Sequence, residues 1–156
     1  MAGEVSAGLL MYSYKNNELK VFLVHPGGPY FTKKDDGFWG IPKGLTEPNE
    51  ELLNTAIREF QEETGIIPHG EFIPLSSVKQ KNGKTVYAWA FKTDNENHVH
   101  LSSNTFEIEW PPHSGVRKKF PEIDKGEFFS LDEAKKKITE TQREFISKLE
   151  KYLKTF

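Results

Sequence analysis

The residue types that could carry out chemistry in this chain are concentrated in one run of acids, an arginine and glycines within its first half. The fixed positions are Gly44, Glu50, Arg58, Glu59, Glu62, Glu63 and Gly65, with Phe60 and Ile66 at two apolar places. Because each residue type fills roughly one position in fifteen of an ordinary protein, this spacing is expected by chance in about one chain in ten million. The spacing therefore requires a chemical explanation.

Three of these acids are close enough in sequence to share one side of a helix. Residues three and four apart are neighbours on a helix, so Glu59, Glu62 and Glu63 are predicted to form one carboxylate patch, with Arg58 able to pair with Glu62. Clustered carboxylate oxygens are the ligands that Mg²⁺ or Mn²⁺ prefers. Such an ion can bridge phosphate oxygens and lower the pKa of a water. The patch predicts phosphoanhydride hydrolysis, and the alternative is a merely solvated helix face.

The helix that carries this patch is predicted to begin near Thr46, with Pro48 in its first turn, and to end at Gly65. Apolar residues recur at helical steps along it and predict a buried stripe. These residues are Leu52, Leu53, Ala56, Ile57 and Phe60.

Strands are predicted at residues 6–14, 19–25, 72–78, 85–92, 106–110 and 126–130 from their β-rich or alternating character. The Asn82-Gly83 pair is a hairpin signal between two of them. Two helices are predicted at residues 131–138 and 141–153. This order of elements indicates an α+β fold with a mixed sheet.

Residues 44–66 resemble the signature box of the Nudix hydrolases, MutT-like enzymes that cleave nucleoside diphosphates linked to another group. All nine defining positions match. The order of elements around the box also matches, so the resemblance covers residues 1–156 as a single Nudix domain. It implies a Nudix fold, a mixed β-sheet sandwiched between α-helices.

The resemblance also implies roles for the box residues. Glu59, Glu62 and Glu63 would bind Mg²⁺ or Mn²⁺, and Arg58 would orient these carboxylates. Glu50 would support the loop and the start of the helix. The general base would be Glu62 or Glu59.

Two further metal contacts are expected outside the helix. The main-chain carbonyl of Lys43, in a loop over residues 40–44, would reach the metal. Family members often add an acid from a loop before the last strand, and Glu122 occupies such a place, with Glu107 and Glu109 as alternatives.

Four residues are predicted to contact the substrate, each against a simpler alternative. Trp39 would line a nucleotide site or belong to the core. Lys43 would touch phosphate or be merely exposed. Tyr87 would stack on a base or be buried, and Arg117, in the cationic run 117–119, would bind phosphate or lie in a solvated loop.

The run over residues 39–44 resembles the corresponding run in Nudix enzymes that take dinucleoside polyphosphates, such as diadenosine tetraphosphate, or diphosphoinositols. A dinucleoside polyphosphate is therefore the expected substrate. The alternatives are a housecleaning pyrophosphatase for noncanonical nucleoside triphosphates and a Nudix module that senses a nucleotide without cleaving it. ADP-ribose ranks lower because Pro74 does not convincingly occupy the proline position that ADP-ribose enzymes tend to have.

Bulk properties limit the other possibilities. The chain has 156 residues, 28% charged residues and 36% hydrophobic residues, with a mean hydropathy of -0.63, which is typical of a globular domain. It has no cysteine, so any metal must be held by oxygen or imidazole. A formal net charge of -2 gives no general attraction to nucleic acid. With no signal peptide evident, the chain is expected in the cytoplasm. It is expected to be a monomer or a homodimer.

Overall fold

The computed structural model describes residues 4–94 and 99–155, and within them lie eight β-strands and three α-helices. The strands are β1 (Val5–Lys15), β2 (Glu18–Pro26), β3 (Lys43–Leu45), β4 (Ile73–Lys79), β5 (Thr85–Lys92), β6 (Thr105–Glu109), β7 (Arg117–Pro121) and β8 (Ile123–Ser130). The helices are α1 (Leu52–Thr64), α2 (Leu131–Lys137) and α3 (Arg143–Lys154). No helix in this part of the chain is long and apolar enough to cross a membrane.

Six strands form one mixed sheet in the order β4-β5-β1-β2-β8, with β3 paired to β1 outside that path. β1 and β5 run parallel, and the other pairs are antiparallel. The hairpin predicted at Asn82-Gly83 joins β4 to β5, and Gly83 has a φ of 87°. Glycine adopts this left-handed conformation without steric cost, which is why the pair specifies the turn.

The side chains of β1 divide the core into two layers. Leu10 packs in the layer that contains residues of α2 and α3, whereas Leu9 and Met11 pack in the layer that contains Phe60 of α1. Since successive side chains of a strand point to opposite faces, a central strand covered on both faces needs an almost continuous apolar run. The predicted α+β fold, a mixed sheet between helices, is confirmed.

The helix α1 begins later than the sequence pattern predicts. The pattern predicts a start near Thr46, but the first helical residue is Leu52. Asn49 has a φ of 64°, which is left-handed backbone that a right-handed helix cannot contain. The N–H of Glu47 donates to the Glu50 carboxylate at 3.1 Å, so this segment forms a loop.

The buried stripe and the end of α1 agree with the prediction. Ala56 and Phe60 are fully buried, and the Phe60 ring meets Phe91 edge-on with centroids 5.1 Å apart. Gly65 ends the helix with a φ of 74°. This fixes which side of α1 faces solvent, and therefore where its acids lie.

β6 and β7 form a separate two-stranded ribbon. The charges at residues 117–119 favour a solvated loop in the sequence, but the structure places them in β7. The partners across the ribbon explain this, because Glu107 faces Lys119 and Glu109 faces Arg117. Opposite charges directly across a strand pair stabilise it.

Candidate active site

The helix α1 lies against β3 through a contact that only glycine permits. The structure corrects the predicted loop over residues 40–44, since Lys43–Leu45 pairs with β1, with Gly44 opposite Ala7. A Cβ atom at Gly44 would overlap the carboxyl group of Glu59. The Glu59 side chain therefore rests on the bare backbone of β3.

Arg58 connects the loop before α1 to the acids on the helix. Its Nε donates to Glu50 Oε2 at 2.9 Å and its Nη2 to Glu50 Oε1 at 3.0 Å. Its Nη1 donates to Glu59 Oε1 at 2.9 Å. The predicted pair with Glu62 is longer, at 3.9 Å between Nη1 and Oε1. Arg58 is thus anchored mainly by Glu50 and in turn positions Glu59.

The contacts to Glu50 shift its ionisation strongly. The Arg58 guanidinium, followed by the Thr55 hydroxyl at 2.6 Å from Oε1, lowers the pKa of Glu50 to about 2. The same pairing raises the pKa of Arg58. This ion pair holds the chain between β3 and α1 in one geometry.

Glu63 is the acid of the patch whose charge is least compensated by its surroundings. Its Oε2 atom is buried and has no hydrogen-bond partner among residues 4–94 and 99–155. Burial, followed by the negative charges of Glu59 and Glu122, raises the pKa of Glu63 to about 8. Burial also raises the pKa of Glu59, against the opposing effect of Arg58. Charge of this density in a poorly solvated place is relieved by a cation.

Lys43 is a second cation beside the acids, after Arg58, and its charge acts on Glu63. Burial lowers its pKa, followed by the positive charge of Lys84, while Glu63 and Glu59 act in the opposite direction. Since an ammonium group is costly to bury without an anion, Lys43 is suited to meet a phosphate that enters the site.

Glu122 is the one of the three candidate downstream acids that the structure brings to the patch. Its backbone is held between Asn104 and Gly27, with N···O distances of 2.9 Å on both sides, and its charge acts on both Glu59 and Glu63. Glu107 instead pairs with Arg117 at 2.8 Å. The role of Glu122 in metal binding stays a prediction.

A divalent cation fits this group of residues by its chemistry. The side-chain donors are carboxylate oxygens, which suit Mg²⁺ or Mn²⁺, and the partnerless Oε2 of Glu63 is an acceptor that needs a positive partner. The contact from the Lys43 carbonyl stays a prediction. Across the described residues, no three acidic or imidazole side chains already form a ready-made ligand set.

Two cavities flank the acid patch, and Lys43 and Glu122 line both. The first, which we name the amide cavity, has a volume of about 310 Å³. It runs from Glu63 to three polar side chains, Gln80, Thr139 and Gln142. The second, which we name the arginine cavity, has a volume of about 440 Å³ and is lined by Arg58, Glu59 and Lys84 among others. A larger depression of about 650 Å³ around Phe22 and Phe128 includes no residue of the box.

The predicted substrate contacts differ in where the structure puts them. Trp39 is only 2% exposed and packs against His25 and Phe129, yet it also lines the amide cavity. Tyr87 is half-buried in β5, and Arg117 lies on the ribbon. Neither is among the described residues that line the two cavities. Their roles in binding stay predictions.

Sequence reasoning missed the polar wall of the amide cavity. Gln142 follows α2 in a short 3-10 turn, Glu140–Gln142, and reaches back 101 positions to accept the N–H of Ile41. Gln80 comes from the hairpin after β4. No local pattern links residues so distant in the chain, and only the fold brings them together.

The protein combines a mixed sheet between helices with an acidic helix that ends at a glycine and lies beside two cavities. This combination defines its class. The NUDIX domain profile matches residues 4–149. The chain belongs to the Nudix family, as the resemblance of its box implies.

Curated relatives match parts of the chain. The rat asymmetrical bis(5'-nucleosyl)-tetraphosphatase is 37% identical over 79 residues, which are 46% of this chain and 54% of that protein. The mouse protein named nucleoside diphosphate-linked moiety X motif 6 is 46% identical over 44 residues, 28% of this chain and 13% of that one. The chain thus spans about half or less of the length of these relatives.

Solved structures share the whole fold. The C. elegans Ap4A hydrolase in a binary complex superposes with a TM-score of 0.70 and 23% identity, covering 99% of this chain and 100% of that one. The NUDIX domain of Shewanella oneidensis NrtR complexed with ADP ribose also gives a TM-score of 0.70, at 17% identity over 98% of this chain and 90% of that one. At these identities the likeness establishes the fold.

Proposed function

We propose that this chain hydrolyses a phosphoanhydride bond in a dinucleoside polyphosphate, such as diadenosine tetraphosphate, with a divalent cation. The observation that carries the proposal is the pair of cavities that meet at Lys43 and Glu122 beside the acids of α1. A substrate with a nucleoside at each end needs two such spaces, joined where its phosphates lie. The partial match to a bis(5'-nucleosyl)-tetraphosphatase supports the same substrate class.

The proposed reaction assigns each part of the site a task. Water attacks a phosphorus, a new P–O bond forms, the anhydride P–O bond to the leaving nucleotide breaks, and a carboxylate accepts the proton of the water. Glu62 is 55% exposed and lies 3.9 Å from Arg58 Nη1, so a proton on it would disturb Arg58 less than a proton on Glu59, which accepts from Arg58 at 2.9 Å. Glu62 is therefore the better general base.

Mg²⁺ or Mn²⁺, bound by Glu59, Glu62, Glu63, Glu122 and the main-chain carbonyl of Lys43, would supply charge neutralisation at the phosphate oxygens and a lower pKa for the water. Arg58 keeps Glu59 and the preceding loop in place. Lys43 offers its ammonium group to the phosphates between the two cavities. Glu63 would give up its proton to accept the cation in its place.

The test is release of nucleotide from a substrate panel with Mg²⁺, for the wild type, Glu62→Gln and Glu63→Gln. We expect both variants to lose about a hundredfold or more in kcat. Glu51→Gln is the matched control, because this exposed acid precedes α1 and lies outside both cavities. Equal turnover in all four proteins would exclude the acids of α1 from the reaction.

The same panel separates the two competing functions. A nucleoside triphosphate that is turned over better than any dinucleoside polyphosphate would indicate a housecleaning pyrophosphatase. Tight nucleotide binding without turnover of any member would indicate a sensor. Hydrolysis in oxygen-18 water then identifies the phosphorus that is attacked.

A further inference from the structure

The amide cavity contains a chain of side-chain hydrogen bonds whose direction is fixed. The backbone N–H of Ile41 donates to Gln142 Oε1 at 3.0 Å, in a buried position. The Gln142 amide is 2% exposed, and a Cβ atom at Gly40 would come within 3.0 Å of its oxygen. The oxygen of Gln142 must therefore face the backbone, and its nitrogen must face the other way.

The nitrogen of Gln142 in turn fixes the orientation of Gln80. Gln142 Nε2 donates to Gln80 Oε1 at 3.1 Å. Gln80 Nε2 is thus the free end of the chain, and across residues 4–94 and 99–155 no protein group accepts from it. Gln80 lines both the amide cavity and a neighbouring depression of about 550 Å³, so the amide chain ends in two N–H donors where these two spaces adjoin.

Thr139 adds a second polar group with no partner. Its Oγ1 atom is buried and makes no hydrogen bond within the described chain, although its backbone is held by Trp39 at 2.8 Å. Buried polar groups are almost always paired in native proteins. Thr139 and Gln80 line the same cavity, and an unpaired hydroxyl and a free donor pair around one cavity are what is expected where a ligand completes the hydrogen bonds.

The rest of the amide cavity suits a flat ring attached to phosphates. Phe38, Trp39 and Ile41 supply an apolar wall, and Lys43 and Glu63 lie at the end next to the acids of α1. A volume of about 310 Å³ falls at the small end of ligand pockets. A base bound here would direct its phosphates toward the acid patch.

We propose that the amide cavity binds a purine base by its acceptor edge and prefers a 6-oxopurine, such as guanine, to adenine. The proposal rests on the proposed function for the position of the phosphates. The edge of guanine presents two acceptors, N7 and O6, whereas the same edge of adenine presents an acceptor and an N–H₂ donor. Two donors from Gln80 match guanine and oppose the amino group of adenine.

The test compares kcat/KM for diguanosine and diadenosine tetraphosphates. We expect the wild type to favour the guanine substrate about tenfold, the effect of one well-formed two-point contact to a base. Gln80→Glu keeps an acceptor for Gln142 Nε2 but replaces the free donors by an oxygen, so it should invert the preference. Gln80→Leu removes both the acceptor and the free donors, and it should abolish the preference for the guanine substrate.

Asn82→Asp is the matched control for the charge added by Gln80→Glu. Asn82 lies two positions further along the same hairpin, and its Oδ1 accepts the N–H of Lys84 at 3.0 Å, a contact that aspartate retains. We expect Asn82→Asp to keep the wild-type preference. A wild-type ratio near one, or a ratio that Gln80→Glu leaves unchanged, would overturn the proposal.

Thr139→Val tests whether the Thr139 hydroxyl contributes to ligand binding and not to the stability of the fold. Since the hydroxyl has no partner in the free chain, its replacement by a methyl group should leave the melting temperature unchanged or higher. The affinity for GMP, measured by calorimetry, should fall. An unchanged affinity for GMP would remove Thr139 from the site.

The same calorimetry distinguishes failure of this inference from failure of the proposed function. If no dinucleoside polyphosphate is hydrolysed, the proposed function is wrong, while tighter binding of GMP than AMP still supports the base preference. If hydrolysis occurs but GMP and AMP bind equally in the wild type and in Gln80→Glu, only this inference is wrong.

Discussion

Glu50 is the acid on which the geometry of the whole box depends, although it is not expected to touch a metal. Its carboxylate accepts from Arg58, Thr55 and the backbone N–H of Glu47. Since its pKa in the folded chain is about 2, it stays ionised well below the pH at which a free glutamate accepts a proton. The folded state therefore binds fewer protons here than the unfolded state.

The stability of the wild type relative to Glu50→Gln should depend on pH in a defined direction. Above pH of about 4.5 the ionised Glu50 stabilises the fold fully, and this contribution is lost as pH falls from there toward 2. The wild type should melt at a higher temperature than Glu50→Gln at pH 7, and the gap should narrow between pH 4.5 and the acid limit. Glu51→Gln, one position away and exposed, should show no such change. A gap that stays constant with pH would contradict the role of the carboxylate charge.

Individual residues of the site differ in how far the sequence could predict them. Glu59, Glu62 and Glu63 could be placed together because the helical period alone makes them neighbours. Gln80 and Gln142 could not, because they lie 62 positions apart and only the tertiary fold joins them. Sequence spacing predicts which residues are neighbours within one helix or strand, but it does not predict which residues of different elements come into contact.

At the scale of elements, the contact between β3 and α1 sets the position of Glu59. Gly44→Ala should force the Glu59 carboxyl group away from β3, since the added Cβ would overlap it. We expect kcat to fall about tenfold or more, because small displacements of catalytic groups are costly in rate. The change is best measured as kcat and KM with saturating Mg²⁺.

Leu45→Ala is the control for Gly44→Ala, since Leu45 is the next residue of β3 and is 49% exposed. Because Leu45 also lines the arginine cavity, its replacement is expected to act on KM, and kcat should stay near the wild-type value. If Gly44→Ala retains full activity while folding normally, the close approach of Glu59 to β3 has no part in the reaction.

Elements with strong local signals were predictable, and those that depend on a partner were not. The apolar run of β1 and the Asn82-Gly83 turn carry their own signals. β7 looks like a cationic loop in isolation and becomes a strand because β6 offers it opposite charges. The start of α1 was missed for a related reason, since the side chain of Glu50 and the left-handed Asn49 hold a loop where propensity favours a helix.

At the scale of the whole molecule, the acid patch joins parts of the fold that are distant in sequence. Glu59 and Glu63 come from α1, while Glu122 comes from the link between β7 and β8. The negative charge of Glu122 raises the pKa of both Glu59 and Glu63, and that of Glu59 also raises the pKa of Glu63, so ionisation of one carboxyl group disfavours ionisation of its neighbours. A cation bound among them would stabilise the entire fold and not the helix alone.

Saturating Mg²⁺ should therefore raise the melting temperature of the wild type. A ligand at about a hundred times its dissociation constant adds about 2.7 kcal/mol to the free energy of unfolding. In a domain of this size that corresponds to about 5–10 °C. Thermal melts in chelator and in excess Mg²⁺ measure the effect without any substrate.

The melting temperature of Glu63→Gln should compare differently with that of the wild type in chelator and in excess Mg²⁺. In chelator at pH 8 the variant should melt no lower than the wild type, because it no longer buries a carboxylate whose Oε2 lacks a partner. In Mg²⁺ it should gain only part of the wild-type increase, because it has lost a ligand. Glu51→Gln should match the wild type in both conditions. If Glu63→Gln gains as much as the wild type, the cation is bound elsewhere on the molecule, and the buried charge of Glu63 serves another purpose.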